Sequence, residues 1–254
     1  MAPDKVFRMK KHVIIFVVLF FGVINLSGQS EDFSYKVYYN WGFIWIDGGT
    51  LSLSVHNDTL NHIPLLRLDG KGKSLSRWNW LYKLDDHYIS WCYPDSYYPV
   101  LARKDALEGG YHINNEYRFD YTDSLVYIST EETRKPLTLD TLPLNEQLYD
   151  AQSATQKLRF IDLTTLREGD TIMLPIIMDG VIHHQNIVFN GLDTLIMQNK
   201  QVYSACKFTA LVTGHKLFSA DDAVKVWISN DEKRIPLYIK ADITIGTIKI
   251  FYHE

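Results

Sequence analysis

A two-residue alternation of apolar and polar side chains runs through most of this chain, and it leaves little room for helices. In Phe33-Ser34-Tyr35-Lys36-Val37-Tyr38-Tyr39, residues Phe33, Tyr35, Val37 and Tyr39 share one face, as in a strand with one buried side. Residues 43–46 are apolar on both faces, and Leu51, Leu53 and Val55 alternate with Ser52, Ser54 and His56. Gly48-Gly49 lies between them, where a bulge or sharp bend is expected to redirect the segment. Further strands are expected at 72–83, 87–93, 112–121 and 124–130. Residues 135–146, with Pro136 and Pro143, read as a linker or loop. One convincing helical segment follows, about 149–161, with Asp150 as its N-cap. Strands resume at 171–178 and 181–190 around an Asp179-Gly180 hairpin, then near 192–198, 201–212, 223–229, 235–243 and 246–252, with Asn199-Lys200 and Asn230-Asp231 as turns. The expected fold class is mainly β: a curved antiparallel sheet or open β-barrel with one central helix.

The first 28 residues read differently. Arg8, Lys10 and Lys11 precede the uncharged run from Val13 to Leu26, and Ser27-Gly28 follow. A basic start, an apolar stretch and small residues make the pattern of a secretory signal peptide, and the stretch is short for a membrane span, which takes roughly 20 residues. Cleavage is expected after Gly28, leaving 29–254 as a single soluble β-rich domain that meets the membrane only during export. The whole chain carries 26 basic and 30 acidic residues. Removing 1–28 takes away Lys5, Arg8, Lys10, Lys11 and Asp4, which leaves 22 basic against 29 acidic. An acidic mature chain has no global field for nucleic acid. Export also places Cys92 and Cys206 in an oxidising compartment; they are candidates for one disulfide, or for two buried thiols acting as small hydrophobes.

The order of features resembles a family of exported bacterial proteins known as domain of unknown function 3108 (DUF3108). Three segments carry the likeness: the aromatic strand Phe33-Ser34-Tyr35-Lys36-Val37 with the bend Gly42 to Gly49, the helix Asp150 to Arg159 ending in Leu158-Arg159, and the final hairpin Val226 to Leu237 before the strand through Gly246. The resemblance implies an exported, periplasmic protein and supplies no activity. A looser architectural likeness is to periplasmic carriers of outer-membrane lipoproteins, curved sheets over an apolar cavity.

Catalytic and cofactor motifs do not emerge. Gly70-Lys71-Gly72-Lys73-Ser74 is superficially similar to a phosphate loop, but Arg67 stands where the first glycine belongs and an alternating segment follows instead of a helix; a basic turn is the plainer reading. His183 and His184 are strand neighbours that point to opposite faces, so no metal and no cofactor are expected. Asp85-Asp86, Glu131-Glu132 and Asp221-Asp222 are paired carboxylates of the kind acid–base chemistry uses, and also of the kind that solvated turns carry. The aromatics say more: Trp78, Trp80, Trp91 and Tyr93 are the candidate ligand-binding residues, because each offers a flat face with a polar edge, the alternative being sheet core. Three functions follow in order: a non-catalytic binding or carrier module for an apolar or envelope-polymer ligand, an interaction protein with an envelope protein partner, and an enzyme. A continuous cavity lined by Trp78, Trp80 and Trp91 favours the first, a solid core the second.

Overall fold

Strand β1 (Glu31–Trp41) lies in the middle of the sheet, because the chain leaves it in one direction and returns to it from the other. The computed structural model describes residues 30–211, 223–243 and 246–253. The outgoing half is β2 (Ile44–Leu60), β3 (Ile63–Ser74), β4 (Leu84–Cys92), β5 (Pro99–Glu108), β6 (Tyr111–Asp120), β7 (Leu125–Glu132) and β8 (Thr138–Pro143). Helix α1 (Ala151–Arg159) follows. The returning half is β9 (Thr171–Met178), β10 (Val181–Ile196), β11 (Val202–Leu211), β12 (Ala223–Ser229), β13 (Pro236–Asp242) and β14 (Thr247–His253). Every neighbouring pair is antiparallel, and β14 pairs with β1, so the described strands form one sheet with β8 and β9 at its two edges. The proposed signal peptide and Asp221-Asp222 lie outside the described residues.

The alternating residues that pointed to strands build the inner face. Phe33, Tyr35, Leu51, Leu53, Leu66 and Leu68 from the outgoing half meet Ile187, Phe189, Phe208, Val226, Ile239 and Ile250 from the returning half in one cluster. Contact between strands so far apart in sheet order requires the sheet to curl. Helix α1 sits inside the curl, packed on β3, β4 and β9. Asp150 caps it by accepting from the Gln152 and Ser153 amides, while the Asp150 amide donates to Ser153 Oγ. Ser90 of β4 donates to the same carboxylate at 2.6 Å, which fastens the helix start to the sheet. The far edge is clasped as well: Lys104 of β5 pairs with Asp179 at 2.7 Å, the Gly180 amide donates to Tyr117 Oη at 3.2 Å, and Ile177 packs with Tyr117, Phe119 and Ile128.

Several local expectations are corrected. Gly70–Ser74 is strand, not a basic turn: Gly70 and Gly72 occupy inner positions, and a Cβ on Gly70 would lie 2.5 Å from Gln152 Nε2. The strand expected at 72–83 ends at Ser74 and gives way to a 3₁₀ turn, Ser76–Trp78. Gly48 is bulged, since Val37 pairs with Gly49 and Tyr38 with Asp47, yet β2 runs straight on and the reversal is at Gly42. The expected linker at 135–146 contains edge strand β8.

Cys92 and Cys206 are free buried thiols, so the bridge considered for them is not formed. The Cys206 sulfur faces Asn230 and the Arg234 guanidinium at 3.6 and 3.5 Å, whereas Cys92 lies on β4 near Asp150, where burial pushes its thiol pKa up. A thiol-counting reagent without reductant is expected to find two groups after unfolding in urea and essentially none before; none after unfolding would establish a disulfide.

Candidate functional site

The four expected ligand residues do not converge. Trp78 lies in the 3₁₀ turn, where its indole donates to the Asp47 carbonyl at 2.7 Å. Trp80 stands beyond it, 79% exposed. Trp91 and Tyr93 do meet, but on the outer face of the sheet: Trp91 points away from its buried neighbour Cys92 and packs with Leu65, Leu101 and Tyr93. Its ring is flanked by the Arg67 and Arg103 guanidinium groups, and its indole donates to Asp58 at 2.8 Å. Trp91 is thus fully engaged by its own protein, and the four aromatics line no common concavity.

A different set of side chains is assembled by register on the outer face of β11–β14 and β1. Lys207, Trp227, Tyr238, Phe251 and Lys36 are successive cross-strand neighbours. The rings touch in file, with centroids 4.9 Å apart for Trp227–Tyr238 and 4.6 Å for Tyr238–Phe251, and the file turns through Tyr38 to Trp45 at 5.9 and 6.2 Å. Lys207 covers Trp227 at one end and Lys249 covers Trp45 at the other, 5.2 and 4.1 Å from the ring centroids. The next row is Lys225, Lys240 and Lys249, three cations directly opposite one another on β12, β13 and β14. Where the β10–β11 turn reaches β14, a cleft of 320 Å³ opens beside Phe251 and Tyr252, lined also by Lys36, Gln198, Asn199, Gln201 and Tyr203. The turn is held by Asn199 and Tyr203, both donating to Gln201 Oε1 at 2.6 and 2.9 Å. The partly exposed edges of Tyr238 and Phe251, the amides and the ammonium groups here share one surface, whereas Trp227 is buried with its indole donating to Asp193 at 2.8 Å.

The rows are missed in the sequence because each contributing tripeptide looks like ordinary strand. Their trace is nonetheless present: Val224-Lys225-Val226, Ile239-Lys240-Ala241 and Ile248-Lys249-Ile250 each place a lysine between two inward apolar residues.

The inner face of the outgoing half holds a second polar group, sealed from solvent. Asp86, Lys104, Glu108 and Asn115 are all buried, and the Asp86 carboxyl has no side-chain hydrogen-bond partner. Burial and the neighbouring Glu108 charge push the Asp86 pKa up to about 8, with Lys104 and the Leu107 amide only partly opposing them. Space exists because its cross-strand neighbours are Gly72 and Ala106. Acids with shifted pKa values can mark catalytic sites, but Asp86 is 0% exposed, out of reach of a substrate. Among the described residues no three His, Cys, Asp or Glu side chains are placed to hold a metal ion, and no helix is long and apolar enough to cross a membrane.

A long antiparallel sheet curled around one helix defines a β-barrel-like protein whose candidate surface lies on the outside. The chain belongs to the family described as protein of unknown function DUF3108, whose model matches residues 34–252. In fold it is similar to a beta-barrel-like protein of domain of unknown function DUF1849 from Brucella abortus, at TM-score 0.57 and 6% identity, over 88% of this chain and 95% of that one. No curated protein matches.

Proposed function

We propose that the mature chain, cleaved near Gly28, is an exported periplasmic protein that binds a ligand of the bacterial cell envelope on its outer face without transforming it. The observation that carries this reading is the outward placement of the aromatic file and its adjoining cleft, while apolar side chains and α1 occupy the inner face. A carrier that hides apolar cargo inside its sheet needs that inner face open, so the external surface is the better candidate. A photo-crosslinking amino acid at Gln198, in cells, is expected to trap a discrete envelope component, whereas the same label at Arg118 on the outer face of β6 traps none. Recovery of nothing at Gln198, with no co-purifying mass in native mass spectrometry, would remove the reading.

The filled inner face, which by the criterion above favours an interaction protein over a carrier, and edge strand β8 support that second reading. Strand β8 is paired on one side, by β7, and Leu139 is exposed on it. Such an edge can accept a partner strand.

A further inference from the structure

Contacts within the protein account for the lysine row only in part: Lys240 pairs with Asp242 and Lys249 lies over Trp45. Residues directly opposite on antiparallel strands have Cβ atoms about 4.5–5.5 Å apart, and like charges in that arrangement destabilise a sheet. Lys225, Lys240 and Lys249 nevertheless stand three abreast, each partly exposed between inward-facing apolar neighbours. Only Lys240 has a close carboxylate, Asp242 at 2.8 Å, which also feels Lys225. Lys207 at one end of the aromatic row is 3.9 Å from Asp193, and among the described residues no ion pair joins Lys36, Lys225 or Lys249. Among the described residues, five lysines on this face therefore answer to two carboxylates, Asp193 and Asp242, in a chain whose formal net charge is -4. A local positive field on an acidic protein is a feature of a site, not of its composition.

We propose that this face binds an acidic polysaccharide, a chain of sugar rings bearing carboxylates. The inference rests on the binding reading above and names its ligand chemistry. The lysine row presents a line of cations at strand spacing to charged groups along the chain. Beside it, the partly exposed edges of Tyr238 and Phe251, with Trp227 buried beneath them, offer apolar surface to the sugar rings, and the amides of Gln198 and Asn199 in the cleft present hydrogen-bonding groups to hydroxyls. Single-stranded nucleic acid is the other polymer that combines charge with flat rings. It fits less well: the aromatic rings are packed against one another, Tyr238 on Phe251 at 20° between planes, which leaves no gap for separate bases. The cations are lysines, point charges without the arginine fork that clamps phosphate.

The test uses the mature chain, polygalacturonate as probe, and neutral dextran and a thymidine oligonucleotide as comparisons. Polygalacturonate is expected to bind and to weaken as salt rises, while dextran does not bind and the oligonucleotide binds at least tenfold less well. The triple variant K225Q/K240Q/K249Q is expected to lose at least tenfold in affinity while keeping a cooperative melting transition close to the parent's, because relief of three opposed charges offsets the lost Lys240–Asp242 pair and Lys249–Trp45 contact. That combination separates a binding role from a folding role. Equal binding by the oligonucleotide, or unchanged polygalacturonate binding in the triple variant, overturns the proposal. If polygalacturonate fails while the Gln198 crosslink still traps an envelope component, the acidic-sugar assignment falls and the binding reading stands; if both fail, both fall.

Discussion

Replacing Asp86 by Asn is expected to stabilise the protein most at and above pH 8 and to flatten its stability between pH 4 and 8. The carboxyl lies beside Gly72 and Ala106 on the inner face, near Glu108, with no side-chain hydrogen-bond partner for either oxygen. Its pKa in the folded chain is pushed up to about 8, against roughly 3.9 for an aspartate in an unfolded chain. Well below pH 4 both states carry the proton, and the group favours neither. Between the two pKa values the unfolded chain releases its proton while the folded chain retains it. Stability therefore falls as pH rises, by about 1.4 kcal/mol per pH unit for a single such group. Above pH 8 the folded carboxyl is ionised too and the loss is complete. Asn keeps a neutral side chain of the same shape at every pH, so D86N removes that slope. Urea unfolding at pH 5, 7 and 9 checks it: the variant's advantage should grow with pH to several kcal/mol. Parallel pH profiles for parent and variant would show that Asp86 titrates normally.

The same site illustrates which parts of the fold were legible. Turn chemistry read well because it is local: Asp179-Gly180 and Asn199-Lys200 occupy positive-φ turns, with Asp179, Gly180 and Lys200 in the left-handed region, and Asp150 is the helix cap expected of it. Strand β5 was invisible because its buried positions include Ala102, Lys104, Ala106 and Glu108, small or charged where an alternating pattern needs bulk. Strand β3 was obscured by Gly70 and Gly72, which are small because α1 and Asp86 need the space. Trp78 and Trp80 show the opposite failure: two-residue spacing imitated a strand, but Trp78 closes a short 3₁₀ turn. The candidate surface was the least legible part. Lys36 and Phe251 are adjacent only because the last strand returns to the first, and no local window of sequence contains both.

Register also explains why three separated segments, rather than one motif, carry the family likeness. The helix ending in Leu158-Arg159 turns its guanidinium toward the final hairpin, where it donates to the Lys233 and Arg234 carbonyls. The same group lies 5.7 Å from the Phe33 ring and 5.3 Å from Phe160, and its charge reaches Glu31 and Tyr35 of β1. Aromatic strand, helix and hairpin thus meet at one side chain that is only 2% exposed. Burial pulls the Arg159 pKa well down, an opposing cost that the two carbonyls and the aromatic faces offset. Removing one member of a buried, charge-assisted group leaves its partners unsatisfied, which typically costs about 3–5 kcal/mol. R159M is therefore expected to lower the urea unfolding midpoint by that equivalent, with the β12–β13 turn losing amide hydrogen-exchange protection first. R159K keeps the charge but not the planar fork that reaches two carbonyls at once, so an intermediate loss of about 1–3 kcal/mol is expected. A midpoint for R159M within 1 kcal/mol of the parent would mean that the hairpin is held by its own turn, through Ser229, Asp231 and Ile235, and not by the helix.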